Sequence, residues 1–138
     1  MNLFSITPVG ILETKAKDLI VGVFPNVLNQ ISYLVQSYIP EKAHQIANEE
    51  NMIADGAYEN RVIYLYHGST VRTAVHEIGH AVHYQLFDGT NLSLSNTYRN
   101  HKEEFAEIFT NIIFKSYDDE PLNNEENKLK EIIAQRCN

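Results

Sequence analysis

Apolar residues recur every three or four positions in four stretches of this chain, and each spacing predicts an amphipathic helix. Val75, Ile78, Gly79, Val82 and Leu86 form the first stripe, with Ser69 or Thr70 placed as its N-cap and Asp88-Gly89-Thr90-Asn91 as its stop. Phe105, Ile108, Phe109, Ile112 and Ile113 form the second. It begins at Asn100, where Glu103 three residues on suggests a capping box, and it breaks at residues 117–121. A third helix runs from about residue 124, with Leu129, Ile132 and Ile133 inward. A fourth starts at Pro25 and turns Val27, Leu28, Ile31, Leu34 and Val35 to the core. Between them, Asp55-Gly56 reads as a turn, and residues 61–66 are β-rich and are stopped by His67-Gly68-Ser69. Residues 40–48 open on Pro-Glu-Lys-Ala, which suits a helix, but their periodicity does not decide between helix and strand. The expected fold class is α+β.

The first helix carries His76-Glu77-Ile78-Gly79-His80, an H-E-x-x-H sequence. Residues four apart on a helix stand one above the other, so both imidazoles can reach one metal ion. Glu77 lies about 100° round the helix, beside that ion, where a general base for an attacking water belongs. Gly79 lowers helix stability, which implies that a neighbouring element packs close there.

A catalytic zinc site takes three protein ligands and leaves one position open. The second helix offers Glu103 and Glu107, four apart on one face, with Glu104 turned aside. A helix dipole alone accounts for acidic residues in a first turn. It accounts less well for Glu107, a turn further in. Glu103 is therefore expected as the third ligand, with Glu107 orienting a ligating histidine from behind.

Together, H-E-I-G-H-A and E-E-F-A-E-I-F resemble the gluzincin metallopeptidases, and among them the anthrax lethal factor-like group. The resemblance covers roughly residues 54–114. It implies a minimal zincin-like domain: a small mixed sheet with an edge strand over the cleft, and the H-E-x-x-H helix beside a glutamate helix. It also implies one Zn²⁺ per chain held by His76, His80 and Glu103, with Glu77 as catalytic base and Glu107 as a supporting carboxylate. A tyrosine in the loop before the glutamate helix is expected to stabilise the oxyanion. Tyr98 is the candidate and His101 the competing donor. The substrate would be a protein or peptide, extended along residues 61–66 as the edge strand.

The remaining features bound this reading. With 138 residues, the chain is expected to form one domain. Its formal charge of −7 and its lack of a basic stripe disfavour nucleic-acid binding. Residues 1–6 lack the basic start and uninterrupted apolar run of a signal peptide, and residues 11–24 are partly apolar but carry Glu13, Lys15, Lys17 and Asp18, so neither a signal peptide nor a membrane span is expected. Cytoplasmic residence is the default expectation. Cys137 is the single cysteine and reads as a frayed terminal thiol. His83 lies too far along the helix from His76 to join one ion, which leaves a rim contact or an ordinary hydrogen bond; His44 and His67 have no metal spacing. Two alternatives to a peptidase of this type remain. One is a regulatory metallopeptidase of a mobile element, although the E-A-N-x-F-A context of those enzymes is missing. The other is a non-catalytic, zinc-stabilised binding module, which would have no use for Glu77.

Overall fold

The computed structural model describes residues 8–37, 56–66, 68–95 and 100–137. Among these the fold is α+β, with four α-helices and a three-stranded sheet. Helix α1 (Val9–Val21) opens the chain and buries Leu12, Ala16 and Ile20, each four residues from the last. Lys15, Lys17 and Asp18 lie on its exposed face. The polar positions that argue against a membrane span are thus the outer side of an amphipathic helix. Among the described residues, no helix is long and apolar enough to cross a membrane.

The helix expected from Pro25 does not form. Residues Leu28–Gln30 make one 3₁₀ turn, and Leu34–Ser37 form strand β1. Val27 is fully buried, after which Ile31, Tyr33 and Val35 point inward alternately while Leu34 is 71% exposed. That two-residue period belongs to a strand. Apolar residues at 27, 28, 31, 34 and 35 satisfy both periods, and parallel pairing with a distant strand decides the outcome.

The distant partner is β3 (Val62–Leu65), in register Leu34↔Val62 to Ser37↔Leu65. On its other side β3 pairs antiparallel with β2 (Gly56–Glu59), giving the order β1-β3-β2. The hairpin turns at Asn60-Arg61, both with positive φ (51° and 64°), as a tight two-residue turn demands. Gly56 is thus strand rather than turn. The β-rich run is the central strand and has no free edge for a substrate.

Helix α2 (Val71–Phe87) follows, capped by Thr70, whose side chain accepts from the Thr73 N–H. All five residues of its expected stripe are buried. Asp88 and Gly89 end it in left-handed conformations, and the Gly89 N–H caps the His83 carbonyl. Helix α3 (His101–Tyr117) packs along α2, and helix α4 (Asn124–Arg136) packs on α3. A capping box forms at Asn123 and Glu126, where Glu126 also holds Lys115 of α3 at 2.8 Å. Asn100 does cap α3, but by accepting from the Lys102 N–H; the expected capping-box partner, Glu103, is turned elsewhere. Cys137 is buried at the end of α4, and burial pushes its thiol pKa up, so it is no frayed terminal thiol.

Helices α2 and α3 pack closely at Gly79. A Cβ there would lie 3.0 Å from Phe109 Cδ2 and 3.3 Å from Ala106 Cα. Gly79→Val is expected to destabilise the fold by about 3 kcal/mol, since branched bulk must push two packed helices apart. Urea unfolding measures this, and an unchanged midpoint would contradict the packing.

Candidate metal centre

Two helices bring the site together. On α2, His76 and His80 stand one turn apart, their rings edge to face with centroids 4.9 Å apart. From α3, Glu103 reaches across to both. Its Oε1 lies 2.9 Å from His80 Nε2 and its Oε2 lies 3.2 Å from His76 Nε2. One ligand atom from each of the three residues falls within 4.8 Å of the others. A tetrahedral zinc ion with ligand bonds near 2.0–2.2 Å spans such a triangle, so the donor set and its spacing fit zinc.

Glu107 lies one turn further along α3, with Oε1 2.8 Å from His76 Nδ1. This contact orients the ring so that Nε2 points to the shared centre. With Glu103 on one nitrogen and Glu107 on the other, His76 sits between two carboxylates. Burial lowers its pKa, but the Glu103 hydrogen bond and the charges of Glu77, Glu103 and Glu107 outweigh it, and the net shift is upward. Glu103 is held well below the usual carboxylate range, first by its hydrogen bond to His76 and then by that to His80. Its carboxylate is therefore ionised and ready to ligate.

Glu77 is 6% exposed. Desolvation pushes its pKa up, against the opposing charges of His80 and His76. A carboxylate raised towards neutrality suits proton transfer in both directions. Beside it lies a residue whose role the sequence did not disclose. A Cβ on Gly56 would stand 2.9 Å from Thr73 Cγ2 and 3.3 Å from Glu77 Cγ. Only glycine lets β2 approach the helix this closely at Glu77. The available signal was a lone glycine opening the run Ala57-Tyr58; its pairing with Asp55 suggested a turn instead.

From Gly56, β2 runs along α2 in the direction of its C-terminus. Tyr58 accepts from Gln85 Nε2 at 3.1 Å, and its ring lies 5.9 Å from that of Tyr84. Among the described residues β2 has β3 as its one strand neighbour, so it rather than β3 presents an edge beside Glu77.

Tyr98, His44 and His67 lie outside the described residues. His101 Nε2 donates to the Gly89 carbonyl at 3.0 Å, which commits that nitrogen to holding the loop after α2. Glu104, predicted to turn aside, is buried and accepts from the Leu94 N–H at 3.1 Å.

His83 makes the ordinary hydrogen bond rather than a rim contact. It is fully buried and stacked 4.4 Å from Phe105, and its Nε2 donates to the Thr90 carbonyl at 2.7 Å. Its Nδ1 has no partner among the described residues. Burial lowers the His83 pKa, against the Thr90 bond that raises it. The unfolded chain therefore takes up this proton first as pH falls below about 6.5, and the fold loses stability down to the lowered native value. His83→Gln should flatten that loss by up to about 1.4 kcal/mol per pH unit. Urea unfolding of both proteins at pH 7.5 and 5.5 checks it, since other titrating groups cancel in the difference. Parallel slopes would exclude a buried neutral His83.

Compared with known proteins, the chain matches no family model, no curated protein and no solved structure.

Proposed function

We propose that this protein is a zinc-dependent endopeptidase of gluzincin type. The observation that carries the reading is the meeting of one ligand atom each from His76, His80 and Glu103 within 4.8 Å of one another, with Glu77 buried next to them. His76, His80 and Glu103 would hold the ion, with Glu107 steering His76. Zinc bound there would supply an acidified water and polarise the carbonyl to be attacked. Glu77 takes the proton of the attacking water, helped by a pKa that burial has raised, and returns it to the leaving amine. The surrounding core keeps Glu77 away from bulk water.

An extended peptide would lie against the edge of β2 that has no strand neighbour among the described residues, with backbone pairing fixing its register next to Glu77. This moves the substrate from the strand expected in the sequence to its hairpin neighbour. Tyr98, three residues before α3 in the sequence, is the proposed oxyanion donor. A closed structural zinc site is the poorer account, because it would be filled by four protein ligands and would leave Glu77 buried to no purpose.

The test is incubation of the zinc-loaded protein with a degenerate peptide library, with products read by mass spectrometry. Internal cleavage that stops on chelation and returns with zinc is expected. Absence of cleavage across the library would count against hydrolysis of peptides.

A further inference from the structure

Among the described residues, His83 Nδ1 is the one buried side-chain nitrogen or oxygen without a hydrogen-bond partner. The ring that carries it is fully buried. Phe105 stacks on it at 4.4 Å with the planes 6° apart, and the rings of His101 and Tyr84 stand 6.1 and 6.4 Å away. The Nε2–H is spent on the Thr90 carbonyl at 2.7 Å. A neutral ring therefore leaves only a lone pair unused. A protonated ring would bury a charge and an N–H with no acceptor, which is far less favourable. The neighbouring charges do not relieve it. His80 on α2, with His101 and Lys102 on α3, oppose a positive ring. Lys128 and Arg136 of α4 reach the Ser93 and Leu86 carbonyls. Glu104 of α3 is committed to the Leu94 N–H, Glu103 is spent on His76 and His80, and Asp88 is exposed at the end of α2.

What His83 holds is the loop of residues 88–95, which belongs to no helix or strand. Side chains fasten it at four points: His83 to the Thr90 carbonyl, His101 to that of Gly89, Lys128 to that of Ser93, and Glu104 to the Leu94 N–H. Asp88 and Ser93 keep left-handed backbone inside it, with φ 55° each, a strain that the fastenings must hold. A loop held by side chains opens by itself more readily than a helix or a sheet. Opening takes the Thr90 carbonyl away and admits water to the ring, so the open form titrates like an ordinary histidine, near 6.5. Burial keeps the closed form below that value. As pH falls below about 6.5 the open form takes up the proton first, and opening becomes easier until pH reaches the lowered closed-form value.

We propose that His83 is a pH-sensitive latch: its neutral ring holds the loop after α2 closed, and protonation releases it. Release also frees His101 and Glu104, which stand on either side of the proposed ligand Glu103. The latch does not depend on the peptidase reading, and turnover plays no part in its test. Amide hydrogen exchange is followed by NMR at pH 7.5 and 5.5, in protein supplied with zinc, and corrected for intrinsic rates. Protection of the Gly89, Thr90 and Leu94 amides is expected to fall by up to about tenfold at pH 5.5. The Phe109 and Ile112 amides inside α3 should stay better protected at both pH values, which marks the opening as local. Loop protection that does not change with pH, or that equals that of α3, would overturn the latch. His83→Gln keeps a donor for Thr90 without the titration, so its loop protection should be the same at both pH values. The full fall in that variant would also overturn the latch. Should the variant not fold, the wild-type ring decides, since its side-chain ¹⁵N shifts must report a neutral His83 at about pH 6. Half-protonation of His83 near pH 6.5 in the native protein contradicts the latch.

Discussion

Replacing Glu77 by glutamine is expected to lower peptide hydrolysis by roughly 10²–10⁴-fold, the range of a lost general base, while zinc binding is retained. The separation of the two effects is what makes the variant informative. Glutamine matches glutamate in size, so the close contact of Gly56 with the side chain at 77 survives. The three proposed ligands do not include Glu77, and the amide of a glutamine there cannot take the water's proton. Retained zinc with lost turnover assigns the base. Full activity in Glu77→Gln would remove Glu77 from the mechanism, and lost zinc would make it a ligand.

Glu103→Ala carries the second large effect. Removing the one carboxylate that reaches both Nε2 atoms leaves two histidines, too few for a catalytic zinc site. Zinc affinity should fall by more than the ~10–100-fold that loss of a supporting partner costs. Competition with a chromogenic chelator measures it. Glu104 cannot substitute, because its carboxylate is buried on the Leu94 N–H. Glu107→Gln is the graded comparison and should weaken zinc less than Glu103→Ala, since it only steers His76. Unchanged affinity in Glu103→Ala, with a loss in Glu107→Gln, would exchange their roles.

The parts of this fold that could be read from sequence are those set by local spacing. Helices α2, α3 and α4 each have one strong apolar stripe and a capping residue, Thr70, Asn100 and Asn123. The histidine pair and Glu77 follow from helical geometry alone. Glu103 was legible because it shares a helix face with Glu107.

Long-range pairing hid the rest. Strand β1 fits a helical stripe until its parallel register with β3 is known. The hairpin turn is Asn60-Arg61, without the glycine that marks most tight turns. The edge strand was consequently misassigned to the inner strand of its own hairpin. Helix α1 passed as a disqualified membrane segment because its charges were counted without regard to face. The same limitation concealed Gly56, whose importance lies in a contact with Thr73 and Glu77 that no local pattern encodes.

Metal content of the purified protein tests the central claim most directly. Elemental analysis after exhaustive dialysis should find about one zinc per chain, as three protein ligands with an open position require. Protein that holds no zinc, and takes up none when it is added, would contradict a metal centre at His76, His80 and Glu103.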